Sequence, residues 1–122
     1  MITLANGLVG LIAFLHLYFL VLEMFFWTKP LGLKVFGRTL EQAKSSASLA
    51  ANQGLYNGFL AVGLTWGLVH PDPSIGTELK IFFLGCVLVE GIFGGFTASR
   101  KIFYVQALPA AIGLALFLAK LV

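Results

Sequence analysis

The stretch from Thr3 to Trp27, TLANGLVGLIAFLHLYFLVLEMFFW, decides the fold class. Among its 25 residues only His16 and Glu23 belong to the set His, Asp, Glu, Lys and Arg. Wound as a helix it would be roughly 37 Å long, enough to cross a hydrocarbon core of about 30 Å. The run is too long for a strand and does not alternate. No basic residues precede it, and it exceeds the length of a signal-peptide core, so it is expected to stay in the mature protein as a first span.

Three further segments read the same way: residues 48–69, 77–97 and 102–121. The expectation is an all-α integral membrane protein, a single four-helix bundle over residues 1–122. Composition agrees, with 59% hydrophobic and 11% charged residues and a mean hydropathy of +0.96. Soluble domains carry about a quarter charged residues. A soluble chain of this length could not bury so much apolar surface, and the excess would form an aggregation patch.

Charge sets the expected orientation. The connection 28–47 holds Lys29, Lys34, Arg38 and Lys44, and the turn 98–101 holds Arg100 and Lys101. The other side holds Lys80 and Lys120. Six basic residues against two place both connections in the cytoplasm and both termini outside it. Lys29-Pro30 ends the first helix, and residues 39–47 read as a short helical lead-in to span two. His70-Pro71-Asp72-Pro73-Ser74 is a helix breaker. Trp27 and Tyr104 at cytoplasmic helix ends, and Trp66 at the opposite end, fit interfacial anchors. The net charge of +3 reads as topogenic charge beside anionic headgroups, not as a nucleic-acid surface. Cys86 is the one cysteine, so an intrachain disulfide is excluded, as in practice is a structural zinc site.

Polar side chains inside the apolar segments mark where function would lie, because such groups are costly in hydrocarbon. They are His16 and Glu23, then Asn52, Gln53, Tyr56 and Asn57, then Glu90, and finally Gln106. At about 1.5 Å per residue, Glu23 and Gln106 lie roughly 6 Å inside the cytoplasmic interface, Glu90 roughly 10 Å and Asn57 roughly 13 Å, with His16 near the midplane. The expected site is a polar pocket in the cytoplasmic half, with Glu23, Asn52, Gln53, Tyr56, Asn57, Glu90, Gln106 and Trp27 as ligand-binding candidates. Glu23 and His16, on one helix face, are the candidates for acid–base work. No metal site and no particular cofactor follows. The plain alternative is that these groups hydrogen-bond helix to helix. Small-residue ridges (Ala50-Gly54-Gly58, Gly63-Gly67, Gly91-Gly95) read as close-packing surfaces only. No hydrolase, phosphate-loop or metalloprotease motif is present.

These residues carry a resemblance. His16-Leu17-Tyr18, Leu22-Glu23-Met24 and Trp27, the run Ala50-Ala51-Asn52-Gln53-Gly54-Leu55-Tyr56-Asn57-Gly58, Phe83-Leu84-Gly85-Cys86, Ser99-Arg100-Lys101, and Val105-Gln106 with Leu108-Pro109 resemble the DUF1304 family of small bacterial membrane proteins. The resemblance covers almost the whole chain and implies four spans, the bacterial inner membrane and no established activity. A looser likeness is to the MAPEG superfamily of trimeric, glutathione-dependent membrane enzymes. Tyr56-Asn57 stand where those enzymes often carry Glu-Asn, and the arginines expected beside them are absent.

Three function classes remain open on these readings. One is a protein that binds or acts on a small lipophilic molecule, a MAPEG-like enzyme among them. A second is a small proton-coupled transporter, although the charge bias disagrees with an antiparallel dual topology. The third is a structural or assembly protein. Four short helices offer little interior, which favours a homo-oligomer.

Overall fold

A computed structural model describes residues 2–121, with side chains for 4–119. Met1, Val122 and the Lys120 side chain, on which part of the orientation argument rests, lie outside the described residues. Those described are helical and contain no strand. Helix α1 is Ile2–Phe25, α2 Pro30–Phe36, α3 Leu40–Val69 and α4 Pro73–Thr97. The last helical run comprises α5 (Arg100–Ile102), a π-helical turn (Phe103–Ala107) and α6 (Leu108–Leu121).

Each boundary has a local cause. Pro30 opens α2, where its missing N–H would be unpaired anyway. Gly37 closes α2 in the left-handed region at φ 62°, a conformation without penalty only for glycine. Thr39 and Gln42 then form a reciprocal capping box, Gln42 N–H donating to Thr39 Oγ1 at 3.2 Å and Thr39 N–H to Gln42 Oε1 at 3.0 Å. Asp72 Oδ1 accepts from the Ser74 and Ile75 N–H groups and starts α4 behind Pro73. Ser99 Oγ caps α5 through the Lys101 N–H.

The connection 28–47 is thus mostly helical, with α2 in the part for which no helix was expected. The lead-in expected at 39–47 is the first part of α3 itself, because the capping box starts a helix that nothing interrupts before Val69. The four expected spans are met in part. Among the described residues, three helices are long and apolar enough to cross a membrane: Leu4–Phe25, Pro73–Thr97 and Arg100–Ala119. Helix α3 has 30 residues but is not among them. Glu41 and Lys44 charge its first turns, and Asn52, Gln53 and Asn57 dilute its middle.

The π turn immediately precedes Leu108-Pro109. A proline ring clashes with the carbonyl four residues back, here Val105, and leaves it without a donor. The turn ending at Ala107 widens the helix at that point, with the Leu108 N–H donating to Phe103 O, five residues back.

The chain divides into two compact units, residues 14–61 and residues 1–13 with 62–122. In the first, Trp27, Ala43 and Ala50 form a core with Leu33, Phe36 and Ala47. In the second, Val9, Ile12, Leu64, Leu84, Val87, Ala110 and Phe117 are buried. Glycines set the close approaches within it. A Cβ on Gly63 would lie 2.4 Å from the Phe83 ring, and one on Gly91 2.5 Å from the Ala107 backbone nitrogen. Much of what is exposed is large and apolar, including Phe96 at 80% and Phe93 at 68%. Against acyl chains such faces need no further cover, which fits the composition.

Candidate functional site

Glu23 and Asn57 meet inside the unit formed by residues 14–61. Asn57 Nδ2 donates to Glu23 Oε1 at 2.5 Å, with Asn57 2% and Glu23 8% exposed. Small residues on α3 make the meeting possible. A Cβ on Gly54 would stand 3.1 Å from Glu23 Cβ and 2.7 Å from Met24 Cγ, and one on Gly58 2.7 Å from Leu20 Cδ1. The ridge that reads as a packing surface therefore seats α1 against α3 beside Asn57. The other half of the amide is left over: Asn57 Oδ1 is buried and accepts no hydrogen bond from the described residues. A buried acceptor without a donor costs about 1–3 kcal/mol.

His16 is also buried, at 1% exposure, with its ring edge-on to Phe19 at 5.9 Å. Seven residues separate it from Glu23 along α1, or roughly 10 Å, so the two do not form one hydrogen-bonded pair.

Trp27 is buried, but its indole is engaged. Its Nε1–H donates to Ser46 Oγ at 3.2 Å, the Phe36 ring lies 5.0 Å away and the Arg38 guanidinium 5.1 Å. These contacts tie the end of α1 to α2 and to the first turns of α3, a fastening rather than a binding wall. Trp27→Phe is expected to lose the bond to Ser46 and about 1 kcal/mol, read from detergent-denaturation curves. Unchanged stability would show the fastening to be idle.

Asn52, Gln53 and Tyr56 are exposed, Tyr56 beside Phe59 at 5.9 Å between rings. The structure does not bring them to Glu23. Of the four polar residues in this run, only Asn57 turns inward.

Glu90 and Gln106 form a second pair, in the other unit. Gln106 Nε2 donates to Glu90 Oε1 at 2.8 Å, both side chains half-buried. The π turn has a direct bearing here. One extra residue per turn rotates the chain by about 100° relative to a regular α-helix, and Gln106 sits within that turn.

A third polar contact was not anticipated. Lys80, taken above as an outer topogenic charge, is 7% exposed. Its Nζ donates to Asn6 Oδ1 at 2.7 Å and lies 4.9 Å from the Phe117 ring centre. Its stem crosses Gly67, where a Cβ would stand 2.7 Å from Lys80 Cγ. The signals were Asn6, a polar residue inside the first apolar run, and the seven residues, roughly 10 Å, that separate Lys80 from the start of α4. Among the described residues, no three His, Cys, Asp or Glu side chains cluster as a metal ion would require.

Comparison with known proteins adds a family but no activity. The family model described as "Protein of unknown function (DUF1304)" matches residues 10–118. The uncharacterized protein YpaA of Lactococcus lactis subsp. lactis (strain IL1403) is 26% identical over 98 residues, covering 79% of this chain and 81% of that protein. No solved structure matches the chain with significance.

Proposed function

Because the chain belongs to the DUF1304 family, whose description names no activity, its function has to be argued from its own residues, and we propose that it is a membrane protein that holds a small lipophilic molecule at Glu23 and Asn57. It crosses the bacterial inner membrane four times, with α3 as the fourth crossing helix and both termini on the non-cytoplasmic side. Three apolar helices support this topology, as does the excess of basic residues at 28–47 and 98–101. The low hydropathy of α3 fits a span whose polar residues meet protein or ligand instead of lipid.

The observation that carries the reading is the orphaned Asn57 Oδ1 beside a buried carboxyl group. A site with apolar walls and a few fixed polar atoms suits a lipophile with one polar end. Glu23 and Asn57 Oδ1 together offer acceptors, so that polar end carries an N–H or O–H donor. Glu23 is the group that could move a proton there, as general acid or base.

The test is native mass spectrometry of the protein released from membranes of its own host, for the wild type and Glu23→Gln. Glutamine keeps an acceptor for Asn57 Nδ2, so the variant is expected to fold while losing the bound molecule. A wild type that carries no adduct beyond bulk phospholipid, or a variant with undiminished adduct, rejects the site. The same spectra report the homo-oligomer that the small interior favours. A purely structural role for the Glu23–Asn57 bond is the second reading, favoured by the bond itself, and it predicts equal adducts with unequal stability.

A further inference from the structure

Helix α3 has an outward stripe as well as an inward one. Leu49, Asn52, Gln53, Tyr56 and Phe59 are all exposed. At about 100° of rotation per residue they fall within roughly 120° of one another. Gly54 and Gly58, which meet α1, lie on the far side of the same helix. The seat that brings Asn57 to Glu23 therefore uses one face of α3 and leaves this one uncovered.

The stripe carries no charged residue, but it carries two carboxamides. Among the described residues, none hydrogen-bonds the side chain of Asn52 or Gln53. With Ser48 at the cytoplasmic interface, residues 52–56 lie roughly 6–12 Å inside it at about 1.5 Å per residue. Acyl chains offer an amide neither donor nor acceptor. Amides at such positions find their partners on other helices.

We infer that two copies of the chain pair through this stripe in the membrane, α3 against α3. The inference rests on the proposal that α3 crosses the membrane, and not on a ligand at Glu23 and Asn57. Symmetry selects the occupant. In the proposed topology every copy is inserted the same way round. A two-fold axis along the membrane normal then sets each stripe residue opposite its own counterpart at equal depth. A carboxylate or an ammonium in that place would meet its like and repel it. A carboxamide holds both donors and an acceptor, so Asn52 and Gln53 each answer their own copies. Leu49, Tyr56 and Phe59 supply the packing area around them.

The experiment is oxidative cross-linking of single-cysteine full-length chains in native membranes. Cys86 is the one cysteine, so Cys86→Ser gives a clean background. Leu49→Cys and Tyr56→Cys, near the middle of the stripe, are expected to form disulfide-linked dimers. Leu55→Cys is the control, exposed beside Tyr56 but about 100° away round the helix, and should not. Cross-linking at Leu55 equal to that at Tyr56, or none at either Leu49 or Tyr56, overturns the pairing. Energy transfer between labelled chains in phosphatidylcholine bilayers then reads the dimer Kd. Asn52→Leu combined with Gln53→Leu is expected to weaken it about ten-fold, the effect of a few interhelical hydrogen bonds. An unchanged or tighter Kd overturns the pairing as well, because apolar contact alone would then hold the copies together. A membrane-impermeant maleimide tells the two failures apart. Labelling of Leu55→Cys in whole cells or inverted vesicles would overturn the crossing of α3 and the pairing together. Protection of Leu55→Cys from both sides, with no cross-link along the stripe, would overturn the pairing alone.

Discussion

Replacing Gly91 with isoleucine is expected to destabilise the protein by about 3 kcal/mol or more, at the upper end of what overpacking costs. The reason is what the new side chain meets. A Cβ at this position would stand 2.5 Å from the Ala107 nitrogen and 2.9 Å from both Ala107 Cα and Cβ. Those are backbone or backbone-anchored atoms, and no rotamer change moves them away. Relief requires α4 to part from the last helical run, which also separates Glu90 from Gln106. Gly85 provides the control on the same helix, because a Cβ there meets nothing within 4 Å. Gly85→Ala should be neutral or stabilising by about 0.4–1 kcal/mol through the unfolded chain. Denaturation in mixed micelles, followed by circular dichroism, compares the two. If Gly91→Ile matches Gly85→Ala, the packing of Ala107 on Gly91 is not as described.

The second large effect lies at Asn57. Asn57→Leu removes the donor that reaches Glu23 Oε1. Interhelical hydrogen bonds in membranes average only about 0.6 kcal/mol. Stripping a partner from a buried polar group costs about 1–3 kcal/mol, and burial at 8% exposure keeps water from substituting. The expected loss is therefore about 1–3 kcal/mol. Glu23→Met, added in the same chain, should restore most of it, since an apolar pair of similar volume asks for no hydrogen bond. A double-mutant cycle reads this directly. Additive losses, or an Asn57→Leu chain as stable as wild type, would contradict the 2.5 Å contact between the two side chains.

The readable parts of the fold were those governed by length and hydropathy. Residues 2–25, 73–97 and 100–121 are helical close to where their apolar runs begin and end. The Asp72-Pro73 and Ser99-Arg100 boundaries follow from cap residues visible in the sequence. What escaped was α2, within the connection 28–47 of which only 39–47 reads as helical. Pro30, Gly37 and the Thr39–Gln42 capping box are start and stop signals for helices in this connection. The candidate site was legible in part. Spacing identifies polar residues inside long apolar runs, and two pairs among them, Glu23–Asn57 and Glu90–Gln106, are hydrogen-bonded. Spacing does not say which face turns inward. Asn52, Gln53 and Tyr56 share a run with Asn57, yet the position of Gly54 and Gly58 turns only Asn57 toward α1. Gln106 depends on a π turn, which breaks the 3.6-residue period on which any such projection rests.

The Asn6–Lys80 contact bears on how the chain is made. If α1 and α4 cross a membrane as proposed, Asn6 leaves the ribosome 74 residues before Lys80 and offers its carbonyl oxygen before α4 is made. A lysine in a lone segment disfavours transfer from the translocon, by up to about 2.5–3.5 kcal/mol at the centre of a helix. For α4 that opposition would fall once the ammonium finds Asn6 and the Phe117 ring, contributed by early and late segments of the chain. Partition into lipid would then be a joint event among helices, recorded in one inward-turned side chain.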